Sequence, residues 1–443
     1  MTTTKTKRTI TKITSHYRNK YVLSGILLLL FLAGSPALFA QFKIDAQYRN
    51  RFELRDGYQK LAVDGATPAA FISQRTRLSF SYETEELKVR FTPQDVRVWG
   101  DEQLASSTGV FGDYSSLDLF EAFVEIKTGD AGWLSVGRQQ LVYDNQRILG
   151  ARNWNQNGIA YDAVVYKWHP QSWDVHFGGS WNSTGENSSD NYYDSARIKA
   201  LSYVWAKHSL AENWDLSLSH VASGATRSET ENKLYFRQTT GLYSTYKNGD
   251  LNLWGNVYYQ FGKSQVGEKV NAVLVDAEAS YKLGKLTPGI GLSYLSGNRK
   301  TGAEQDTDHL FNILYGARHR FFGGMDYFRS FDSHTKQGGL ADYYLFLDCK
   351  LSKKTSLKNT GHYFCLAQTN PTTPDRKKLG YENDLTLKHK FAGWGELESG
   401  YFFYLPTGSL KTIQGVDNDK FSQFIYLQLT VTPSLFVSER NQL

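Results

Sequence analysis

The chain has 443 residues with 50 Lys and Arg against 44 Asp and Glu, but residues 1–40 contain Lys5, Lys7, Arg8, Lys12, Arg18 and Lys20 and no acid. Setting these six aside leaves 44 basic against 44 acidic residues, so the remaining chain is neutral and its charge gives no argument for a nucleic-acid partner. Its 28 Tyr, 26 Phe and 10 Trp coexist with a mean hydropathy of -0.47, which fits aromatics facing lipid around a wet lumen better than a soluble sandwich or a β-solenoid.

The first element is the leader. A cationic stretch, an apolar run over 21–32 and small residues up to Ala40 predict a secretory signal peptide cut after Ala40. A single membrane anchor is the alternative, although the run is of marginal length for a span. No later segment has the roughly 20 continuous apolar residues of a membrane helix, and no composition break divides the rest. Residues 41–443 are therefore expected to form one domain.

Strand signals fill that domain. In the first, Phe42, Ile44, Ala46, Tyr48, Phe52 and Leu54 alternate with Lys43, Asp45, Gln47, Arg49, Arg51, Glu53 and Arg55, so the two sets lie on opposite sides of a sheet. Further strands are predicted at 71–82, 87–99, 118–127, 133–143, 159–168, 173–180, 193–205, 213–220, 233–246, 251–262 and 270–282. The series ends with 287–296, 339–350, 356–367, 379–388, 394–405 and 421–431. Short connections such as 83–86, 128–132 and 247–250 alternate with long ones, among them 56–70, 100–117, 144–158, 181–192, 221–232 and 297–338. This rhythm predicts an all-β fold: a closed antiparallel transmembrane barrel of 18 strands, with short periplasmic turns, long extracellular loops and no sheet edge in lipid.

Alternation assigns Arg49, Arg51, Arg55, Arg75, Arg77, Lys88 and Arg90 to the lumen. A bulge at Pro93 would bring Arg97 inside as well. Acids at Asp45, Glu53, Glu121, Glu125, Asp276, Glu278, Glu382, Asp384, Glu396 and Glu398 are expected there too. Two readings stay open: the acids brace the wall by pairing with the arginines, or the arginines form a track for a polyanion. Residues 137–162 add Arg138, Asp144, Arg147, Arg152, Trp154 and Asp162, guanidinium forks for carboxylates with an indole that could stack on a sugar. Parity sets Arg138 on the lipid face with Leu134 and Val136, so a register change near Gly137, or a position above the membrane, would be needed to turn it inward.

The segment GRQQLVYDNQRILGARNWNQNGIAYD at 137–162 resembles the alginate export family of outer-membrane barrels. The opening FKIDAQYRNRFELRDGY, then SQRTRLSF and VRFTPQDVRVWG, are similar to that family's first strands. HLFNILYGARHRFFGGMDYF at 309–328 is similar to its loop element, with Gly324, Asp326 and Phe328. The resemblance implies an 18-stranded monomer that passes an anionic polyuronate passively through an arginine-rich constriction, gated by a long external loop and a periplasmic turn. It points to Arg75, Arg77, Arg90, Arg97, Arg138, Arg147 and Arg152 as the constriction, balanced by Asp95, Asp144 and Asp162. Its expected partners are outer-membrane lipid, the polysaccharide and periplasmic export proteins. Because the short turns are all small, no periplasmic plug is expected.

Other signals are weaker. Glu304, Asp306, Asp308 and His309 offer oxygen ligands at alternate positions but lack the pattern of a calcium loop, so no metal or other cofactor is expected. Ser219 with His220, or Asp342 with His362, accompany no nucleophile motif, and no enzyme activity is expected. Cys349 and Cys365 fall on consecutive predicted strands and leave a disulfide open. The rival reading is a general or small-anion/oligosaccharide porin, with export or uptake left open.

Overall fold

The computed structural model describes residues 40–100, 104–105, 111–112, 117–189, 192–302 and 305–438; the expected signal segment lies outside them. The strands are β1 Gln41–Asp56, β2 Ala69–Glu83, β3 Leu87–Val98, β4 Leu117–Lys127, β5 Gly132–Gln139, β6 Tyr161–Trp168, β7 Trp173–Trp181, β8 Ala200–Ala211 and β9 Trp214–Ala225. They continue as β10 Tyr235–Asn248, β11 Leu251–Lys263, β12 Lys269–Tyr281, β13 Leu286–Leu295, β14 Leu340–Lys350, β15 Thr355–Cys365, β16 Lys378–Ala392, β17 Gly395–Pro406 and β18 Ser422–Val431. Consecutive strands pair antiparallel, and β18 returns to β1 with Tyr48 opposite Val431 and Arg55 opposite Phe424, which closes an 18-strand barrel. At this seam the ladder is interrupted at Thr432 and Pro433, since proline has no N–H to donate, and resumes over Ser434–Val437.

Period two decides what each side of the wall meets. Val164, Leu218, Val257, Ile290 and Leu345 are at least half exposed and lie outward, while the residues flanking Val164, Leu218 and Val257 along their strands are buried against the lumen contents. Trp168, Trp173, Trp214 and Trp394 are also exposed and gather at the short-turn rim, as an interfacial girdle does. Inside, large rings lie over glycines of the next strand: a Cβ on Gly178, Gly291 or Gly400 would collide with the ring of Tyr203, Tyr344 or Tyr426. These pairings let the rings lie flat along the wall and leave room for loops in the lumen.

That room is used. The 140–160 and 296–339 loops fold inward from the long-loop rim and meet each other, with Leu149 bridged to Tyr315 and Ala317 N–H donating to Gln146 O. Their apolar residues form the barrel's buried core, with Leu149, Phe311, Ile313, Phe322, Met325 and Phe328 packed against Phe364, Phe402, Tyr404 and Phe424 of the wall. The largest departure from the predicted strands is at β8, which runs over 200–211 instead of 193–205. Lys199 N–H already donates to Gly224 O, so pairing with β9 starts at that point, and residues 192–198 stay in the loop. Cys349 and Cys365 are free thiols, lying opposite Leu357 and Ala341 on different rows of the β14–β15 pair.

Candidate functional site

The arginines of the first two strands face inward as alternation requires, but they hold a loop. Arg49 donates to Gln156 Oε1 at 2.9 Å, Asn153 O at 2.7 Å and Asn155 O at 3.1 Å. Arg51 reaches Trp154 O at 2.9 Å, Arg75 reaches Gln156 O at 3.2 Å and Asn153 Oδ1 at 3.0 Å, and Arg77 reaches Asn157 O at 3.1 Å. Five consecutive loop residues thus turn carbonyl oxygens toward four guanidiniums, and charge-assisted bonds of this kind are roughly twice as strong as neutral ones. Trp154 lies between the Arg51 guanidinium, 3.7 Å from its ring centroid, and the stacked His319 ring, also at 3.7 Å. Both faces of the indole are therefore covered, and the expected sugar-stacking surface is occupied by protein.

The rest of the 140–160 loop is tied to the wall. Asp144 accepts from Trp205 Nε1 at 2.9 Å and Ser217 Oγ at 2.6 Å. Burial pushes its carboxyl up, against the lowering effect of those two bonds. Arg147 pairs with Asp276 through Nε at 2.7 Å, both side chains being almost fully buried, and lies over Phe321 and Phe322. Lower in the lumen, Arg90 pairs with Glu121 at 3.1 Å and stays exposed. The bracing reading holds at Glu53 as well, which bridges Arg51 and Arg55.

Four of the expected path residues face outward. Gln94 lies opposite Arg77 and bonds to it, so Asp95 and Arg97 share the other face with exposed Phe91. The bulge falls on the neighbouring strand, at Phe120, and Pro93 keeps the parity of β3, which leaves Arg97 outside. Arg138 keeps simple parity too and forms a bidentate pair with Asp162 at 2.9 Å for each bond, on the face of Val164. These groups make ion pairs at the outer rim, Arg97 with Asp95 at 2.8 Å among them.

The 296–339 loop accounts for the Gly-x-Asp-x-Phe element. Gly323, at φ +80°, and Gly324 press against Glu382 and Phe402 so closely that neither could carry a Cβ. This contact lets Gly324 N–H donate to Asp384 at 2.8 Å and Met325 N–H to Glu382 at 2.7 Å. Asp326 accepts from Tyr58 Oη and lies 3.0 Å from His319 Nδ1, and Phe328 packs on Phe364 at 4.7 Å. Further back in the same loop, Asp308 is bound by Arg237 at 2.6 Å and His309 by Asn271 O at 2.7 Å. Neither is available as part of the calcium-type stretch, whose Glu304 lies outside the described residues.

Between the loops and strands β9 to β11 lies a polar cavity of about 860 Å³ near the long-loop rim. Arg152, Arg318 and Arg329 line it together with Tyr161, Tyr193 and Tyr235. Arg152 donates to Leu314 O at 2.9 Å and Gly316 O at 3.3 Å, and among the described residues no carboxylate pairs with it. Arg318 Nε is buried without a hydrogen bond, and among the described residues the Arg329 guanidinium makes no hydrogen bond or ion pair. Burial, then the charges of Arg152 and Arg329, pull the pKa of Arg318 down to about 10. Arg320, two residues on, is exposed and close enough to Tyr243 of the wall to act on it electrostatically. The turn Arg318–Arg320 thus carries one cation into the upper cavity and one toward the lower lumen. Arg318, Arg320 and Arg329 are absent from the sequence-based candidates. Their signal was the apolar and basic character of HLFNILYGARHRFFGGMDYF, unusual for a loop in water.

The fold is shared with solved porins. OccK11 (OpdR) of Pseudomonas aeruginosa is 15% identical with a TM-score of 0.59, over 89% of this chain and 96% of that one. OccAB1 of Acinetobacter baumannii is 12% identical with a TM-score of 0.61, over 89% and 97%. A BenF-like porin from Pseudomonas fluorescens Pf-5 is 13% identical with a TM-score of 0.59, over 89% and 99%. No curated protein matches the sequence. The alginate export family profile matches residues 40–372, three quarters of the chain, and with the closed barrel it identifies this protein as an outer-membrane channel of the alginate export family.

Proposed function

We propose that the channel passes an anionic polysaccharide of the alginate type across the outer membrane by diffusion, with the 296–339 loop as its selective element. The observation that carries this reading is the Arg152, Arg318 and Arg329 group: three guanidiniums lining one polar cavity, none of which forms an ion pair with a carboxylate among the described residues. Cations clustered against their own repulsion in a partly desolvated space favour an anion that relieves it. The tyrosines beside them offer apolar faces and hydroxyls to a sugar chain. The arginines of β1 and β2 support the reading from behind, since they fix the 140–160 loop on which Arg152 stands.

A small-anion or oligosaccharide porin is the second reading, favoured by the two loops that cross the lumen and by the likeness to solved porins. Liposomes containing the channel separate the two. Efflux of a fluorescent oligouronate faster than that of a neutral oligosaccharide of equal length supports the first. Equal rates that fall steeply with length for both support the second.

A further inference from the structure

Away from the loops, at the short-turn rim, β6 and β7 are joined by the turn 169–172, and His169, Asp174 and His176 converge there. His169 Nδ1 lies 2.9 Å and His176 Nε2 3.0 Å from the same oxygen, Asp174 Oδ1. We propose that these three side chains form a binding site for a divalent transition-metal ion of the zinc type, a site independent of what the channel carries.

The donor set fits such an ion. Two imidazoles and one carboxylate are borderline ligands suited to zinc, cobalt or nickel, and poorly suited to calcium or magnesium, which take oxygen donors. Zinc bonds of about 2.0–2.2 Å imply ligand separations of roughly 3.3 Å in a tetrahedron, close to the two His-to-Asp174 distances, and all three ligand atoms lie within 4.8 Å of one another. The Asp174 Oδ1 and His176 Nε2 atoms are buried and have no hydrogen-bond partner outside this cluster. Both imidazole nitrogens converge on this one carboxylate oxygen at ion-pair distance, the convergence of donors that a shared cation would bridge.

The surroundings hold the ligands in place. His176 Nδ1 lies 3.0 Å from Tyr143 Oη, which lies 2.7 Å from Tyr203 Oη. A proton on Nδ1 donated to Tyr143, with Tyr143 donating to Tyr203, leaves the Nε2 lone pair for the metal, the usual arrangement behind a ligating histidine. His169 is fixed by its N–H to Ala131 O at 2.8 Å, and the turn is closed by Trp173 N–H to Pro170 O at 3.0 Å. The nearest lysines are engaged elsewhere, Lys167 with Glu125 and Lys207 with Asp215. Three protein ligands leave one position open, and His176 shares the inward face of Lys167 and Trp205.

The test uses the full-length folded channel in detergent, stripped with a chelator and titrated with Zn²⁺ by calorimetry and with Co²⁺ by visible absorption. One ion per chain is expected, with a tetrahedral cobalt band. His169→Ala lies in an exposed turn and should leave folding unchanged, judged by heat-modifiable gel mobility, while weakening binding by about tenfold or more. Tyr143→Phe keeps all three ligands and should weaken it by roughly tenfold through loss of the Nδ1 partner. Absence of saturable binding, or binding that His169→Ala leaves unchanged, overturns the site.

Discussion

The Arg51 guanidinium and the Trp154 ring are stacked at 3.7 Å, and this contact joins the barrel wall to the loop that narrows it. His319, on the opposite face of the same indole, belongs to the second inward loop, so one side chain couples both. The cation–π and ring contacts together are worth about 1–2 kcal/mol. Trp154→Ala is expected to raise the open fraction of the channel by about tenfold, seen in bilayer recordings as longer high-conductance dwell times, with the barrel itself remaining folded.

The Arg147–Asp276 pair anchors the 140–160 loop more strongly. Removing one partner of a buried pair leaves an uncompensated charge and costs about 3–5 kcal/mol. Arg147→Ala should therefore expose this loop to limited proteolysis. The double variant Arg147→Met, Asp276→Leu should restore much of the protection, because no lone buried charge remains.

Acid should release the 296–339 loop through Asp326. Burial pushes its carboxyl up, but His319 and the Tyr58 hydrogen bond outweigh burial and hold it below its ordinary value. A depressed carboxylate stabilises the docked loop at pH above its unfolded value, about 3.9, and that contribution is lost as pH falls through the lower folded value. Conductance in a bilayer should rise on acidification below about pH 4 and be nearly pH-independent there in Asp326→Asn, which should already sit at the higher level.

The outer-face pairs should not touch selectivity. Arg97→Gln and Arg138→Gln remove cations that share a face with Phe91 and Val164. Reversal potentials in a salt gradient should match the unaltered channel for both, whereas Arg90→Gln, which lines the open lower lumen, should reduce anion preference.

How far the sequence could be read follows from the reach of each rule. Period two puts Arg49, Arg51, Arg75 and Arg77 on the face that bonds the 140–160 loop, because the side of a strand is a local property. It also puts Arg138 outside, where it pairs with Asp162, and no register change near Gly137 turns it inward. The bulge was expected at Pro93 and occurs at Phe120, because a bulge is decided by the pair of strands and Pro93 still fits the β2–β3 ladder. What the arginines grip was not legible, since hydrogen bonds from Arg49 to residues 153–156 span about a hundred positions of chain and depend on a loop without periodicity. The closest local clue was the run of buried Phe311, Ile313, Phe322, Met325 and Phe328, too apolar for a loop facing water.

Single-channel current in the presence of oligouronates tests the central claim most directly. The channel should be anion-selective and blocked by oligouronates added on the long-loop side at concentrations where neutral oligosaccharides have no effect. Arg318→Ala with Arg329→Ala should weaken that block by about tenfold or more, each charged hydrogen bond being worth roughly 1.5–3 kcal/mol. Cation selectivity, or a block that is the same with and without these two arginines, would contradict the account.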